Sequence, residues 1–259
     1  MKFGFGVSPT VSNITTQTAA ILSGGGGSPV VSPAPFSDNV VRHYNFSDDA
    51  NLVLSGSTIV SANDLSGNGV SATGSGVVRT ASQINGLQAA VFDVGDYFTF
   101  SDTSLPVTDA SRTLAMVVRP TRNDSGGMGI FGYGTFTGNQ QFTIAIKDTT
   151  GYWFSWGFSH DNVSSTAYTA NTNYRVILTY DSATNAITMK VNGTNIISTT
   201  TTDYNTVLNT GVIGNPVNVD WVGGYDFGGA IGETIIYDRS LSTAEQTTLD
   251  SYLSTGWSF

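Results

Sequence analysis

From Asp38 onward the sequence is a succession of short apolar runs, each set off by Gly, Asn, Asp or Ser, with side chains alternating in character along each run. Period-two runs of this length, punctuated by turn residues, can bury one face only as β-strands. The runs predicted as strands are Val40–Phe46, Ala89–Asp93, Tyr97–Phe100, Thr113–Arg119, Phe142–Lys147, Tyr152–Phe158, Tyr174–Tyr180, Ala186–Val191, Asn195–Ser198 and Ala230–Tyr237. Asn192-Gly193 sits between two of them, and both residue types tolerate positive φ, so a tight hairpin is expected there. Asp64–Gly69 and Asn123–Gly127 are expected to be loops. Composition agrees: Asp, Glu, Lys and Arg make up only 11% of the chain, against about 25% in an average globular protein. The long charged side chains that solvate helix faces are therefore scarce. No period of 20–50 residues repeats, which argues against solenoids and propellers.

One helix is expected, at the end. Ser242-Thr243-Ala244-Glu245 is a capping box, in which the Ser hydroxyl takes the N3 amide and the Glu carboxylate returns to the cap amide. Leu249, Tyr252 and Leu253 follow at helical spacing, and Gly256 is expected to stop the helix before Trp257.

Residues 1–37 differ from the rest. They carry one charged side chain, Lys2, an unbroken Gly24–Gly27 run, and prolines at 9, 29, 33 and 35. A glycine hinge leading into a proline-stiffened spacer fits that composition. The expected division is an N-terminal arm and linker over 1–37 and a single β domain over 38–259. The arm reads either as a tail or as an assembly element that buries Phe3, Phe5, Ile14, Ile21 and Leu22 against a partner.

Charge and residue counts remove several functions. Nineteen acids against ten bases give a net charge of −9, which disfavours nucleic acid and anionic membrane surfaces as partners. No cysteine is present, so disulfides and thiolate metal sites are excluded. No apolar run approaches the roughly 20 residues of a membrane span, and no secretory signal is read at the N-terminus.

The ending Gly229-Ala230-Ile231-Gly232-Glu233-Thr234-Ile235-Ile236-Tyr237-Asp238-Arg239-Ser240-Leu241-Ser242, with Glu245 and Tyr252-Leu253, resembles the terminal motif of laminin-G-like domains of the concanavalin A-like lectin/glucanase superfamily. Asn51-Leu52, Ser61–Gly69, Ile84-Asn85-Gly86-Leu87, Val91-Phe92-Asp93, Thr113–Pro120 and Val191-Asn192-Gly193-Thr194 extend the resemblance over roughly 38–259. It implies an all-β, two-sheet antiparallel jelly-roll sandwich with one short C-terminal helix. Members include adhesins, lectins, enzyme appendages and viral structural proteins, so the fold does not choose among functions.

Tests for catalysis come out negative. The superfamily's glucanases use two Glu side chains on one strand, with retaining chemistry placing the carboxyls about 5 Å apart. This chain has only Glu233 and Glu245. Glu245 is taken by the helix cap, and Asp238, the next carboxylate after Glu233, has the opposite strand parity. Ser159-His160-Asp161 are consecutive, so their side chains diverge and cannot form a triad. Two histidines exclude a multi-His metal site, and no glycine loop carries the Lys and helix of a phosphate cradle. No enzyme is expected.

Two features fit sugar binding. Tyr152, Phe154, Trp156 and Phe158 share one strand face and read as core, which leaves Trp153 as the exposed ring. Asp220-Trp221-Val222-Gly223-Gly224-Tyr225-Asp226-Phe227 precedes the last strand, with Trp221 and Tyr225 as a sugar platform and Asp220 and Asp226 as hard oxygen ligands for calcium. No cofactor is required; calcium is the ion such a loop would take.

Arm, hinge and lectin-like head together suggest a structural protein of a tailed-phage virion, in capsid or tail. The arm would dock to other virion proteins and the head would be displayed for host-surface glycans, in a homo-oligomer with a trimer favoured and avidity from many copies. The competing expectation is a bacterial extracellular carbohydrate-binding or adhesion module.

Overall fold

The computed structural model describes residues 33–122, 127–135, 137–147, 150–156, 162–201, 204–215 and 225–259. The described residues form β1 (Val40–Asn45), β2 (Leu52–Ser55), β3 (Thr58–Ala62), β4 (Ala72–Ser75), β5 (Val78–Ile84), β6 (Leu87–Phe92), β7 (Tyr97–Phe100), β8 (Arg112–Pro120) and β9 (Met128–Gly134). Then come β10 (Gln141–Ile146), β11 (Tyr152–Trp156), β12 (Asn162–Ala167), β13 (Tyr174–Asp181), β14 (Ala186–Val191), β15 (Thr194–Thr200), β16 (Gly211–Ile213), β17 (Gly229–Tyr237) and the helix α1 (Thr243–Trp257). The fold is all-β with one C-terminal helix, and every pairing is antiparallel.

β17 is the spine. β1 pairs with its C-terminal half and β6 with its N-terminal half, while β8, β13, β14 and β15 follow on its other side. A second run goes β2–β3–β4–β7–β16–β9–β10–β11–β12. The expected division into two separate sheets is not drawn by the hydrogen bonds. Thr58 of β3 pairs with Val78 of β5, which joins the runs, and β12 and β15 approach at the far side without a ladder. The result is one nearly closed, barrel-like network.

Apolar burial has two compartments. The larger holds residues of both runs, among them Tyr44, Phe98, Leu114, Phe131, Ile144, Trp153 and Leu178. The smaller lies on the outer face of β17, β8 and β13, where Ile235, Val117 and Ile177 meet Leu249, Leu253 and Trp257 of α1. Ala34, N-terminal to the composition break, is buried in this second compartment, and the Tyr237 hydroxyl donates to the Pro35 carbonyl at 3.0 Å.

Local chemistry sets the boundaries. Asn192 and Gly193 have φ of 48° and 79°, as the two-residue turn between β14 and β15 requires. The capping box at Ser242 and Glu245 forms in full. The helix does not stop at Gly256: it runs through Trp257 and ends where Ser258 takes the left-handed conformation. Gly232 is needed for close approach, because a Cβ there would stand 2.3 Å from a Trp257 ring carbon.

β1 would otherwise offer an open edge, a known route to unwanted pairing. The loop from Asp64 to Gly69 covers it. The Asp64 carboxylate accepts from the backbone amides of His43, Ser66 and Val70, the Leu65 amide donates to the His43 carbonyl, and the Asn68 amide group donates to the carbonyls of Val40 and Val41.

Buried polar atoms without a hydrogen-bond partner among the described residues include Trp153 Nε1 and the Thr234 hydroxyl. Thr234 is flanked across the ladder by Met116 and Tyr44. A buried unmatched hydroxyl costs about 1–3 kcal/mol, and Val has nearly the same shape. Thr234→Val should therefore raise the unfolding free energy by about 1 kcal/mol. A lower melting temperature for that variant would refute the reading.

Candidate functional site

The approach to β17 lies at the end of the fold where β6 and β8 finish and β7 and β9 begin. There the Asp226 Oδ1 accepts from the Asn215 side-chain amide and, at 3.3 Å, from the Gly95 backbone amide. Arg122 Nη1 donates to the Asp226 carbonyl at 2.7 Å, and the Gly129 amide donates to the Tyr225 carbonyl at 2.7 Å. Asn215 is buried, whereas Asp226 and Tyr225 are half-buried. The Tyr225 ring lies over Gly127, where a Cβ would sit 2.0 Å from a ring carbon. Beside it the β6–β7 loop folds on itself: the Asp93 amide donates to Asp96 Oδ2 at 2.8 Å and the Val94 amide to Asp93 Oδ1 at 2.8 Å. Burial pushes the Asp96 carboxyl up; the Asp93 amide opposes this and the Asp93 charge adds to it.

Four chain segments thus meet at one rim, bringing a carboxylate, a carboxamide, a backbone amide and an aromatic ring together. That set matches a pyranose, whose vicinal hydroxyls both donate and accept while its C–H face covers a ring.

Trp153 is not the exposed ring expected from strand parity. It is 0% exposed, belongs to the main core and stands edge-on to Tyr174 at 5.2 Å. The reason is the face assignment. Trp153 pairs across β10–β11 with Ile146, which points inward, so the odd-numbered side of β11 is the inner one. Phe154, on the opposite side, is buried too. Asp220, Trp221, the Ser159–Asp161 triad candidates and the arm residues Phe3, Phe5, Ile14, Ile21 and Leu22 lie outside the described residues. Asn215, Gly95 and Arg122 were not singled out from the sequence, since only tertiary folding brings positions so far apart to Asp226. Among the described residues no three His, Cys, Asp or Glu side chains group as metal ligands, and no helix is long and apolar enough to cross a membrane.

Neither glutamate is placed at this rim. Glu233 is 2% exposed and lies beneath α1, where Oε1 accepts from the Tyr252 hydroxyl at 2.9 Å and meets His43 Nε2 at 2.7 Å, while Oε2 accepts from Trp257 Nε1 at 2.8 Å. Glu245 is gripped by two Arg239 nitrogens at 3.0 and 2.8 Å and by the Ser242 amide at 2.9 Å. Arg239 first, then the Ser242 amide and hydroxyl, hold its carboxyl down to about 2. A carboxyl ionised so far into acid is no proton donor at neutral pH.

A laminin G-like family model described as the Concanavalin A-like lectin/glucanases superfamily matches residues 92–245. No curated protein sequence matches the chain. Among solved structures, domain 4 of AbnA, a GH43 extracellular arabinanase of Geobacillus stearothermophilus bound to arabinotriose, is similar with a TM-score of 0.59 at 19% identity, over 82% of this chain and 98% of that one. Trypanosoma rangeli sialidase in complex with sialic acid gives 0.59 at 16% identity, over 84% of this chain and 33% of that one. Botulinum neurotoxin type C, described as entering cells through two ganglioside molecules, gives 0.60 at 12% identity over 84% and 52%. The chain thus spans about a third of the sialidase and half of the neurotoxin. At such identities these likenesses show a shared fold.

Proposed function

This chain belongs to the concanavalin A-like lectin/glucanases superfamily, and on that premise we propose that its head is a glycan-binding module without catalytic activity, displayed on a virion by its N-terminal arm. The observation that carries the binding reading is the rim where Asp226, held by Asn215 and the Gly95 amide, stands beside the half-buried Tyr225. The arabinotriose-bound arabinanase domain, almost wholly spanned by this fold, supports carbohydrate as the ligand class. The placement of Glu233 and Glu245 supports a module rather than a glycosidase: one is a buried strut and the other a helix cap. We read the nearly closed network as a jelly-roll sandwich joined at one edge by β3 and β5.

Display on a phage particle rests on layout. Residues 1–37 carry one charge, and no cysteine ties the chain to a redox compartment. Ala34 and Pro35 join the head beside Tyr237, whereas the rim lies at the Gly229 end of the same strand. Nine residues of β17 separate them, about 26 Å at the usual strand rise. An arm docked to capsid or tail would hold the rim away from the particle. A bacterial extracellular adhesin would use the same rim with no assembly role for the arm.

The test is a glycan array followed by calorimetry on the preferred sugar, with calcium and with chelator. Binding should weaken about tenfold or more in Asp226→Ala, given about 1.5–3 kcal/mol for hydrogen bonds to a charged group, and should also weaken in Tyr225→Ala. Loss on chelation would assign calcium to the rim. Binding that survives both substitutions would defeat the reading.

A further inference from the structure

We propose that the rim site runs on from Tyr225 and Asp226 over Arg122 to Tyr168, so that it takes a linear oligosaccharide along its length rather than a single terminal sugar. The inference rests on the glycan reading above and narrows its ligand class.

The strip is continuous in hydrogen bonds. Arg122 Nη1 donates to the Asp226 carbonyl at 2.7 Å, and the Arg122 carbonyl accepts from the Tyr168 hydroxyl at 2.5 Å. One arginine, from its carbonyl to its guanidinium, thus links two aromatic residues on distant segments, Tyr225 ahead of β17 and Tyr168 just after β12. Topology brings both to the same end of the fold. β12 finishes where β11 begins, with Ala167 opposite Tyr152, and the Tyr168 amide donates to the Gly151 carbonyl at 2.9 Å. Next to Arg122, the Thr121 amide donates to the Gly228 carbonyl at 2.9 Å and the Asn171 amide to the Pro120 carbonyl at 2.7 Å.

Glycines keep the strip low. A Cβ at Gly127 would stand 2.0 Å from a Tyr225 ring carbon, one at Gly228 2.3 Å from Cγ and Cδ of Arg122, and one at Gly151 3.2 Å from a Tyr168 ring carbon. The turn at Gly151, with φ 66°, accounts for glycine there. Gly127 and Gly228 lie outside the left-handed region, so at these positions the side chain laid across them excludes a larger residue. Tyr225, Arg122 and Tyr168 are each half-buried. Rings held in this way lose little freedom when a sugar covers them.

Polar groups accompany the ring at either end. Asp226, held by Asn215 and the Gly95 amide, stands by Tyr225. On the Tyr168 side is the exposed Asn171, at φ 63°, whose Oδ1 accepts from Arg119 Nη2 at 3.3 Å. Aromatic platforms with polar neighbours, repeated along one line, suit a chain of rings that each carry an apolar face and a hydroxyl edge.

The test is calorimetry on the unmodified full chain. The probes are mono- to tetrasaccharides of the sugar that the glycan array returns and of the linear xylan and cellulose series. Affinity should rise about tenfold or more from monosaccharide to trisaccharide, equivalent to about 1.4 kcal/mol. Tyr168→Ala should abolish that rise and leave monosaccharide affinity within about twofold, as expected for a distant and independent contact. Tyr168→Phe keeps the ring and should keep most of the rise. Tyr168 also packs against the main core, and the length series on the unmodified chain decides the matter even if the alanine variant fails to fold. Equal affinity for mono- and tetrasaccharide, or a length dependence untouched by Tyr168→Ala, would overturn the proposal and leave the rim reading standing. No binding by any of these sugars would overturn the rim reading itself, and this proposal with it.

Discussion

Glu233→Ala should lower the free energy of unfolding by about 3 kcal/mol or more, since it leaves three hydrogen-bond partners stranded at about 1–3 kcal/mol each. The carboxylate joins three elements that are distant in sequence: His43 on β1, its own strand β17, and Tyr252 and Trp257 on α1. Truncation strands three polar groups beside the apolar residues packed under α1. Burial, with the Glu233 charge next in effect, pushes the Tyr252 hydroxyl far above its ordinary range, so it stays a donor at any working pH. Glu233→Gln keeps one acceptor oxygen but turns an amide N–H₂ toward donors, so it should recover only part of the loss. Urea unfolding followed by circular dichroism measures both. A deficit below about 1 kcal/mol for Glu233→Ala would mean the apolar contacts of Leu249, Leu253 and Trp257 hold the helix alone.

Arg112→Met should cost more than about 3 kcal/mol, since each stranded buried acceptor is worth about 1–3 kcal/mol. The guanidinium donates to the Ala110, Pro106 and Thr108 carbonyls, to the Tyr133 hydroxyl at 2.9 Å and to Thr206 Oγ1 at 2.9 Å. The rings of Tyr133, Phe142, Tyr180 and Tyr204 surround it at 5.3–5.9 Å. Burial pushes the Tyr133 hydroxyl up, and the Arg112 charge works the other way. Arg112→Lys should recover little, because an ammonium has neither the planar fork nor the reach to serve carbonyls on two sides. Chemical denaturation decides it, and a Lys variant as stable as the parent would show that charge alone suffices. Released from Arg112, Thr108 should relax from positive φ.

How much of this could be read from residues varies with the kind of signal. Tyr97–Phe100 and Ala186–Val191 are strands within the predicted bounds because large apolar residues alternate there without interruption. The capping box was legible because both its hydrogen bonds lie within four residues. β9, Met-Gly-Ile-Phe-Gly-Tyr-Gly, was missed because glycines break its alternation, and β16 because three residues give no period. β4, made of Ala, Thr, Gly and Ser, reads as a turn until β3 and β7 pair with it. At the rim, Tyr225 and Asp226 stood out locally as a ring beside an acid. Asn215 and Gly95 gave no local sign, since their partnership with Asp226 exists only once β6, β7, β16 and β17 are assembled. The roles of Arg42 and Arg112 were equally hidden: a lone arginine in a strand pattern normally faces water, and these two point inward.

The opposite placement of arm root and rim along β17 has a mechanical side. A load applied between a ligand at Asp226 and a tether at Pro33 runs nearly parallel to β1, β17 and β8. Inter-strand hydrogen bonds in antiparallel ladders stand perpendicular to the strands. Such tension therefore shears whole ladders at once, sharing the force across every rung, rather than peeling them apart one by one. A head tethered at one end and gripped at the other is loaded along its strongest direction, and single-molecule pulling from those two points should give a higher rupture force than pulling across β14 and β15.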